Sequence, residues 1–180
     1  TATKSSFNTT TKVSASGISL GQLSEYFGRP AGALAGGVKN FQMDWRGTLD
    51  APQSWSGTIN AEVENVRQSG LAFDRVTLAV AAADGSAAVR TARIDRGTNH
   101  VQLQGTVQLP KTIEAFRRIP GDLQLKIDAP DLKELTAFLP QPLTGSLQAN
   151  GTIKTDRSIA RLELTARGDL LGMGDAAVKS

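Results

Sequence analysis

The chain has 180 residues, 39% hydrophobic and only 5% aromatic, with a formal charge of +3 and no cysteine. That length suits one domain or one stretch of a repeating architecture, and the absence of cysteine excludes disulfides and thiolate metal sites. The charge is scattered, with no like-charged run longer than Arg117-Arg118; no nucleic-acid footprint is present, and no apolar run is long enough to cross a bilayer as a helix.

In chain order, Phe7 to Leu20 reads as a weak strand with a parity slip. Leu20, Leu23, Tyr26 and Phe27 then take helical spacing. Phe41-Gln42-Met43-Asp44-Trp45-Arg46-Gly47-Thr48-Leu49 alternates apolar with polar, and Trp55 to Val63 repeats the pattern after a turn at Asp50-Ala51-Pro52. Successive strand side chains point to opposite faces, so each such segment has one dry and one wet face. Val76 to Val80 follows the turn Gln68-Ser69-Gly70, and Ala87 to Ile94, with another parity slip, follows Asp84-Gly85-Ser86. A bulge would absorb each slip.

Val101-Gln102-Leu103-Gln104-Gly105-Thr106-Val107-Gln108-Leu109 is the clearest alternation, with odd residues dry. Ile113, Phe116 and Ile119 are spaced as a second short helix. Leu123 to Asp128 is again a strand. A third helix carries Leu132, Leu135, Phe138 and Leu139. Asp131 precedes it as N-cap, Glu134 follows at capping-box spacing, and Pro140 and Pro142 stop it. Strands at Gly145 to Lys154 and Leu162 to Arg167 flank the turn Thr155-Asp156-Arg157. The count is about eight to ten strands in antiparallel meanders. The helices are too short to stand alone and are expected to dock on the sheet as plugs. Glycines on the dry face (Gly47, Gly57, Gly105, Gly145 and Gly151) are expected to leave space there and ease bending.

Residues that could carry chemistry are sparse. His100 is the single histidine, beside Asn99 in an apparent turn at a strand start, so neither a triad nor a metal site has its parts. Acids fall in turns (Asp50, Asp84, Asp122 and Asp156) or at outward strand positions (Asp44, Glu62, Asp128 and Glu163). Gly36-Gly37 and Gly172-x-Gly174 lack the lysine and strand-to-helix setting of a phosphate loop. Trp45 and Trp55 fall in phase with the dry face, which makes them lining rather than a sugar platform. The expectation is a protein that is not an enzyme and holds no cofactor or metal.

An internal repeat is visible. Leu20, Leu23, Tyr26, Phe27 and Pro30 align without a gap with Leu132, Leu135, Phe138, Leu139 and Pro142. Gly32-Ala33-Leu34 then aligns with Gly145-Ser146-Leu147 after one inserted residue. Repeat units thus begin near residues 18 and 130, and residues 1–180 read as one fragment of a larger repetitive β-rich protein. The opening at Thr1, without a leader, and the end just after Ala176-Ala177-Val178 agree with that expectation.

The stretch from Asp131 to Lys154 resembles the recurring phrase of the AsmA-like and TamB-like envelope proteins, a D-L-x-x-L-x-x-F-L helix leading into pLxGxLxaxGxI strands. Leu143, Gly145, Leu147, Gly151 and Ile153 match that phrase position by position. The resemblance implies an all-β, elongated, curved antiparallel sheet folded like a taco, with an open hydrophobic groove and two or three short docked helices. It further implies a periplasmic bridge between inner and outer membranes that passes phospholipid. The parent would be anchored in the inner membrane and linked to an outer-membrane barrel. The lining expected from the alternation is Leu78, Val80, Leu103, Val107, Leu125, Ile127, Leu147, Ile153, Leu162 and Leu164. The same alternation serves a closed β-sandwich, such as a structural or adhesin-like binding module.

Overall fold

One-faced strands joined by short turns pair with their neighbours in sequence, and the computed structural model has that architecture. It describes residues 8–26, 28–30, 32, 34–68, 70–156, 159–173 and 176–177. Of the positions named above, Thr1, Phe7, Phe27, Ala33, Ser69, Arg157, Gly174 and Val178 lie outside these. The strands are β1 (Asn8–Ala15), β2 (Ile18–Ser19), β3 (Ala35–Thr48), β4 (Ser56–Gln68), β5 (Leu71–Ala83), β6 (Ser86–Arg96), β7 (Asn99–Gln108), β8 (Gly121–Ala129), β9 (Leu143–Asp156), β10 (Ile159–Met173) and β11 (Ala176–Ala177). All belong to a single antiparallel sheet in the order β1-β3-β4-β5-β6-β7-β8-β9-β10-β11, with β2 paired to the start of β3. No second sheet covers it among the described residues, so the β-sandwich alternative does not hold.

The helical segments are α1 (Leu20–Tyr26), α2 (Leu132–Leu135) and two 3-10 turns, Pro52–Ser54 and Ile113–Arg118. The middle expected helix is therefore a 3-10 segment. It lies at the opposite end of the sheet from α1 and α2, which precede β3 and β9 at a common end.

The parity slip in β6 is a bulge. Thr91 pairs with Ala79, and Val89 pairs with Val80, leaving Arg90 as the extra residue. Val89 and Ala92 consequently face the same side, opposite Gly105 and Leu103 of β7. Four of the five dry-face glycines, Gly47, Gly57, Gly105 and Gly151, do not provide space as expected. At Gly57 (φ 141°) and Gly105 (φ 143°) a Cβ would run into the carbonyl oxygens of Asp44 and Asp122 on the neighbouring strands. Both backbones sit in a region open almost only to glycine, where a bend is built in and the strands close up.

Plugging by α2 is partial. Leu132 is buried and Leu135 half-buried, while Phe138 is 48% and Leu139 37% exposed. The helix ends early because Thr136 closes it. Its Oγ1 donates to the Leu132 carbonyl at 2.7 Å and accepts the Leu143 N–H at 2.8 Å, turning the chain into β9. In α1, Leu23 and Tyr26 are exposed and Ser24 is the buried residue, so that stripe does not dock as expected.

Asp131 caps α2, accepting the Glu134 N–H at 3.2 Å. The reciprocal half of the capping box is taken by Asn99, which accepts the Asp131 N–H at 3.0 Å. Asn99 also donates to the Arg96 carbonyl at 3.1 Å and to Glu134 Oε2 at 3.4 Å. It is 1% exposed and ties the β6–β7 turn to α2. At the other end the Gln53 N–H donates to the Pro110 carbonyl at 3.0 Å. Trp55 packs between Trp45 (centroids 5.8 Å) and Phe116 (5.7 Å). The β3–β4 and β7–β8 loops thus meet at the β5–β6 hairpin, whose turn residue Gly85 accepts the Leu109 N–H. Nearby, Pro52, Ala82 and Ala87 are buried.

Candidate functional site

The register assembles the alternating residues into cross-strand rows. One row runs Phe41, Ala61, Leu78, Ala92, Leu103, Leu125, Gly151, Leu164. The next runs Met43, Ile59, Val80, Val89, Gly105, Leu123, Ile153, Leu162. On either side lie Val76, Ile94, Val101 and Ile127, and Ala82, Ala87 and Val107. Leu147 lies beyond, opposite Ala129 and Gly168. All ten expected lining residues therefore share one face.

Among the described residues no layer covers that face. Leu78, Val80, Leu103, Val107, Leu125, Ile127, Leu147 and Ile153 are only half-buried, and Leu162 and Leu164 are 58% and 49% exposed at the edge strand β10. The buried apolar residues are few and small apart from Leu132, namely Ala82, Ala87, Ala129 and Ala149. The chain exposes 12186 Å². A compact protein of 19.0 kDa would expose about 8,400 Å². A single layer with two open faces contributes to this excess.

Met43, Ile59, Val76, Val101 and Leu123, which the same alternation marks, also lie on this face. Val89 and Ile94 were hidden by the β6 bulge, which breaks period two. Trp45 lies on this face as expected, and Trp55 meets it edge to face, its indole N–H donating to the Thr48 carbonyl at 2.9 Å.

The opposite face is polar and laced with charge. Lys39 lies 3.0 Å from Glu64 and 3.2 Å from Glu62, and these carboxylates raise its pKa above the usual lysine value. Arg75 approaches the same Glu62 at 3.3 Å. His100 is on this face, at the start of β7 just after the turn. Its Nδ1 is 2.7 Å from Asp95 Oδ1, and Arg93 Nε donates to that same oxygen at 2.7 Å. Burial pushes the Asp95 carboxyl up, but the hydrogen bonds and charges of Arg93 and His100 outweigh it and hold it below the ordinary value. A hollow of about 440 Å³ also opens on this side, among Gln102, Gln124, Lys126, Asn150 and Thr165. Leu125 and Gly151 also line it, and its other side chains are the polar ones of the wet face. Among the described residues no group of three or more acids and histidines is placed to hold a metal ion.

No family model matches the chain, and no curated protein or solved structure matches it.

Proposed function

We propose that this chain is a stretch of a periplasmic lipid bridge, whose apolar face shields phospholipid acyl chains on their way between the inner and outer membranes. The observation that supports this reading is the uncovered apolar face, several rows deep and running from β3 to β10. An apolar sheet face needs a cover, and the described residues supply none beyond the loops and helices at its ends. Acyl chains meet the need without specific recognition, because each buried CH₂ contributes roughly 0.8 kcal/mol. The polar face keeps the outside wet. The phrase from Asp131 to Lys154 supports the envelope setting, with the parent anchored in the inner membrane and docked to an outer-membrane barrel. The chain works by burial alone in this reading, without catalysis or cofactor.

The test is direct. The chain, purified from bacteria without detergent, is extracted with organic solvent and the extract is analysed for phospholipid. A photocrosslinker placed at Val107 is used in parallel. Co-purified phospholipid and a lipid adduct are expected. A lipid-free protein without an adduct would replace this reading with that of a binding module whose apolar face meets a protein partner.

A further inference from the structure

A cation is out of place on an apolar sheet face, because an ion in an apolar setting is costly unless it is paired. Arg96, the last residue of β6, is such a cation. It lies two residues beyond Ile94, which pairs with Val101, and itself pairs with Asn99. Arg96 therefore continues the apolar side of β6 toward the α2 end. The residue is half-buried. Its Nη1 is shut off from solvent and has no hydrogen-bond partner among the described residues. On the wet face, by contrast, Lys39, Arg75 and Arg93 all reach carboxylates.

Two acids lie close by, and neither accepts from Nη1. Asp74 Oδ2 accepts the Gly97 N–H at 2.6 Å. Glu134 sits where a side chain on Gly97 would lie, its Oε2 3.4 Å from Asn99 Nδ2. Both carboxylates thus border the residue after Arg96, one coming from β5 and the other from α2. The adjoining row on the same face is Val76, Ile94, Val101 and Ile127, all apolar. A molecule lying on this part of the sheet meets apolar rows and then, at their end, one cation flanked by two anions.

A free anion suits Arg96 but is repelled by Asp74 and Glu134. A group that carries a phosphate and, a few bonds away, an ammonium suits all three. A guanidinium spreads its charge over three nitrogens and takes phosphate in a fork. Phosphate on the open part of the side chain therefore compensates the charge at Nη1 as well. We infer that Arg96, with Asp74 and Glu134, is a headgroup site for a zwitterionic phospholipid whose acyl chains lie on the rows that begin at Ile94 and Val101. This rests on the lipid reading above and adds a selected lipid class to it, where burial alone accepts any.

The lipid-stripped chain is incubated with phosphatidylglycerol vesicles that carry equal minor amounts of phosphatidylethanolamine and diacylglycerol. All three have the same acyl chains. The chain is re-isolated and its lipids are quantified by mass spectrometry against the vesicle composition. The wild type is expected to enrich phosphatidylethanolamine over diacylglycerol about tenfold or more, as a charge-assisted hydrogen bond allows. Arg96→Gln should lose that preference and still hold diacylglycerol. Its lipid-free form should melt within about 2 °C of wild type, since Nη1 bonds nothing. Asp74→Asn combined with Glu134→Gln keeps both acceptors and should let phosphatidylglycerol bind as well as phosphatidylethanolamine. Millimolar inorganic phosphate should leave the Tm of the lipid-free wild type unchanged. Lipid retained without class preference, or a preference untouched by Arg96→Gln, overturns the headgroup site and leaves the lipid reading standing. No lipid of any class on the wild type overturns both. An Arg96→Gln protein that melts well below wild type makes Arg96 a structural residue, and a phosphate-induced rise in Tm that Arg96→Gln removes makes this a free-anion site; either overturns the inference.

Discussion

Asn99→Ala is the most exacting test of how the sheet is closed at its α2 end. The wild-type side chain is 1% exposed and makes three hydrogen bonds, to the Asp131 N–H, the Arg96 carbonyl and Glu134 Oε2. A net hydrogen bond contributes about 0.5–1.5 kcal/mol, and the bond to a charged partner lies at or above the top of that range. Alanine removes all three and leaves the Asp131 N–H without its acceptor. The loss should total about 2–4 kcal/mol, a fall in Tm of about 4–16 °C for a chain of this size. Asn99→Asp keeps the acceptor for Asp131 but sets a second carboxylate against Glu134, so its loss should be at least as large at neutral pH and should shrink in acid. The assay is thermal unfolding followed by circular dichroism. Because Asn99 acts on α2, its effect should fall short of additive with Leu132→Ala. An Asn99→Ala protein melting within about 1 °C of wild type would refute the account of Asn99 as the tie between the β6–β7 turn and the helix.

Gln104→Arg, on the wet face, should leave stability and lipid content unchanged, whereas Leu103→Arg should stay folded and lose lipid, its long stem letting the charge reach the open side; unfolding of the Leu103 variant would mean that the face is closed. Gly105→Ala should cost about 2–3 kcal/mol, because alanine is strained at that φ and its methyl meets the Asp122 carbonyl. Gly37→Ala, with open space around it, is the control and should melt like wild type. Asp95 has a folded-state pKa below its unfolded value, so its contribution is fully present above the ordinary carboxylate range and is lost as pH falls through the folded value. The Tm difference between wild type and Asp95→Asn should therefore narrow as the pH falls below about 4; a gap that widens below that pH would reverse the assignment.

The strands were legible because their pattern is local. Val101 to Leu109 declares both its period and its dry side, and the ten lining residues read from such stretches do share a face. What covers that face is not a local property, since one-sided alternation is the same under a second sheet, a helix or a lipid. The helix at Asp131 was legible from its cap. Its early end was not, because Thr136 closes it through a bond to Leu143 that spacing cannot disclose. Alternation also failed at Arg90, where one extra residue shifts the phase. The glycines misled for a related reason. A missing Cβ looks like room in a sequence, while at Gly57 and Gly105 the neighbouring backbone has already moved in. The meeting of the Pro52 and Pro110 loops depends on how the ends of β5 and β6 lie between them, which no window of sequence contains.

From β3 onward each strand's partner is the next one in the chain, and this has a kinetic consequence. Each step closes only a short loop, so the entropic cost of adding a strand stays small and nearly constant. A chain of this kind can fold by zipping outward from any hairpin, which permits assembly as the polypeptide emerges, strand after strand. The Gln53–Pro110 contact is different, because it joins segments that such zipping alone would never bring into register. It should form late and report completion, as a clasp does on a hinged cover. A slow final phase detected by Trp55 fluorescence, after strand formation is complete, is the behaviour that this ordering implies.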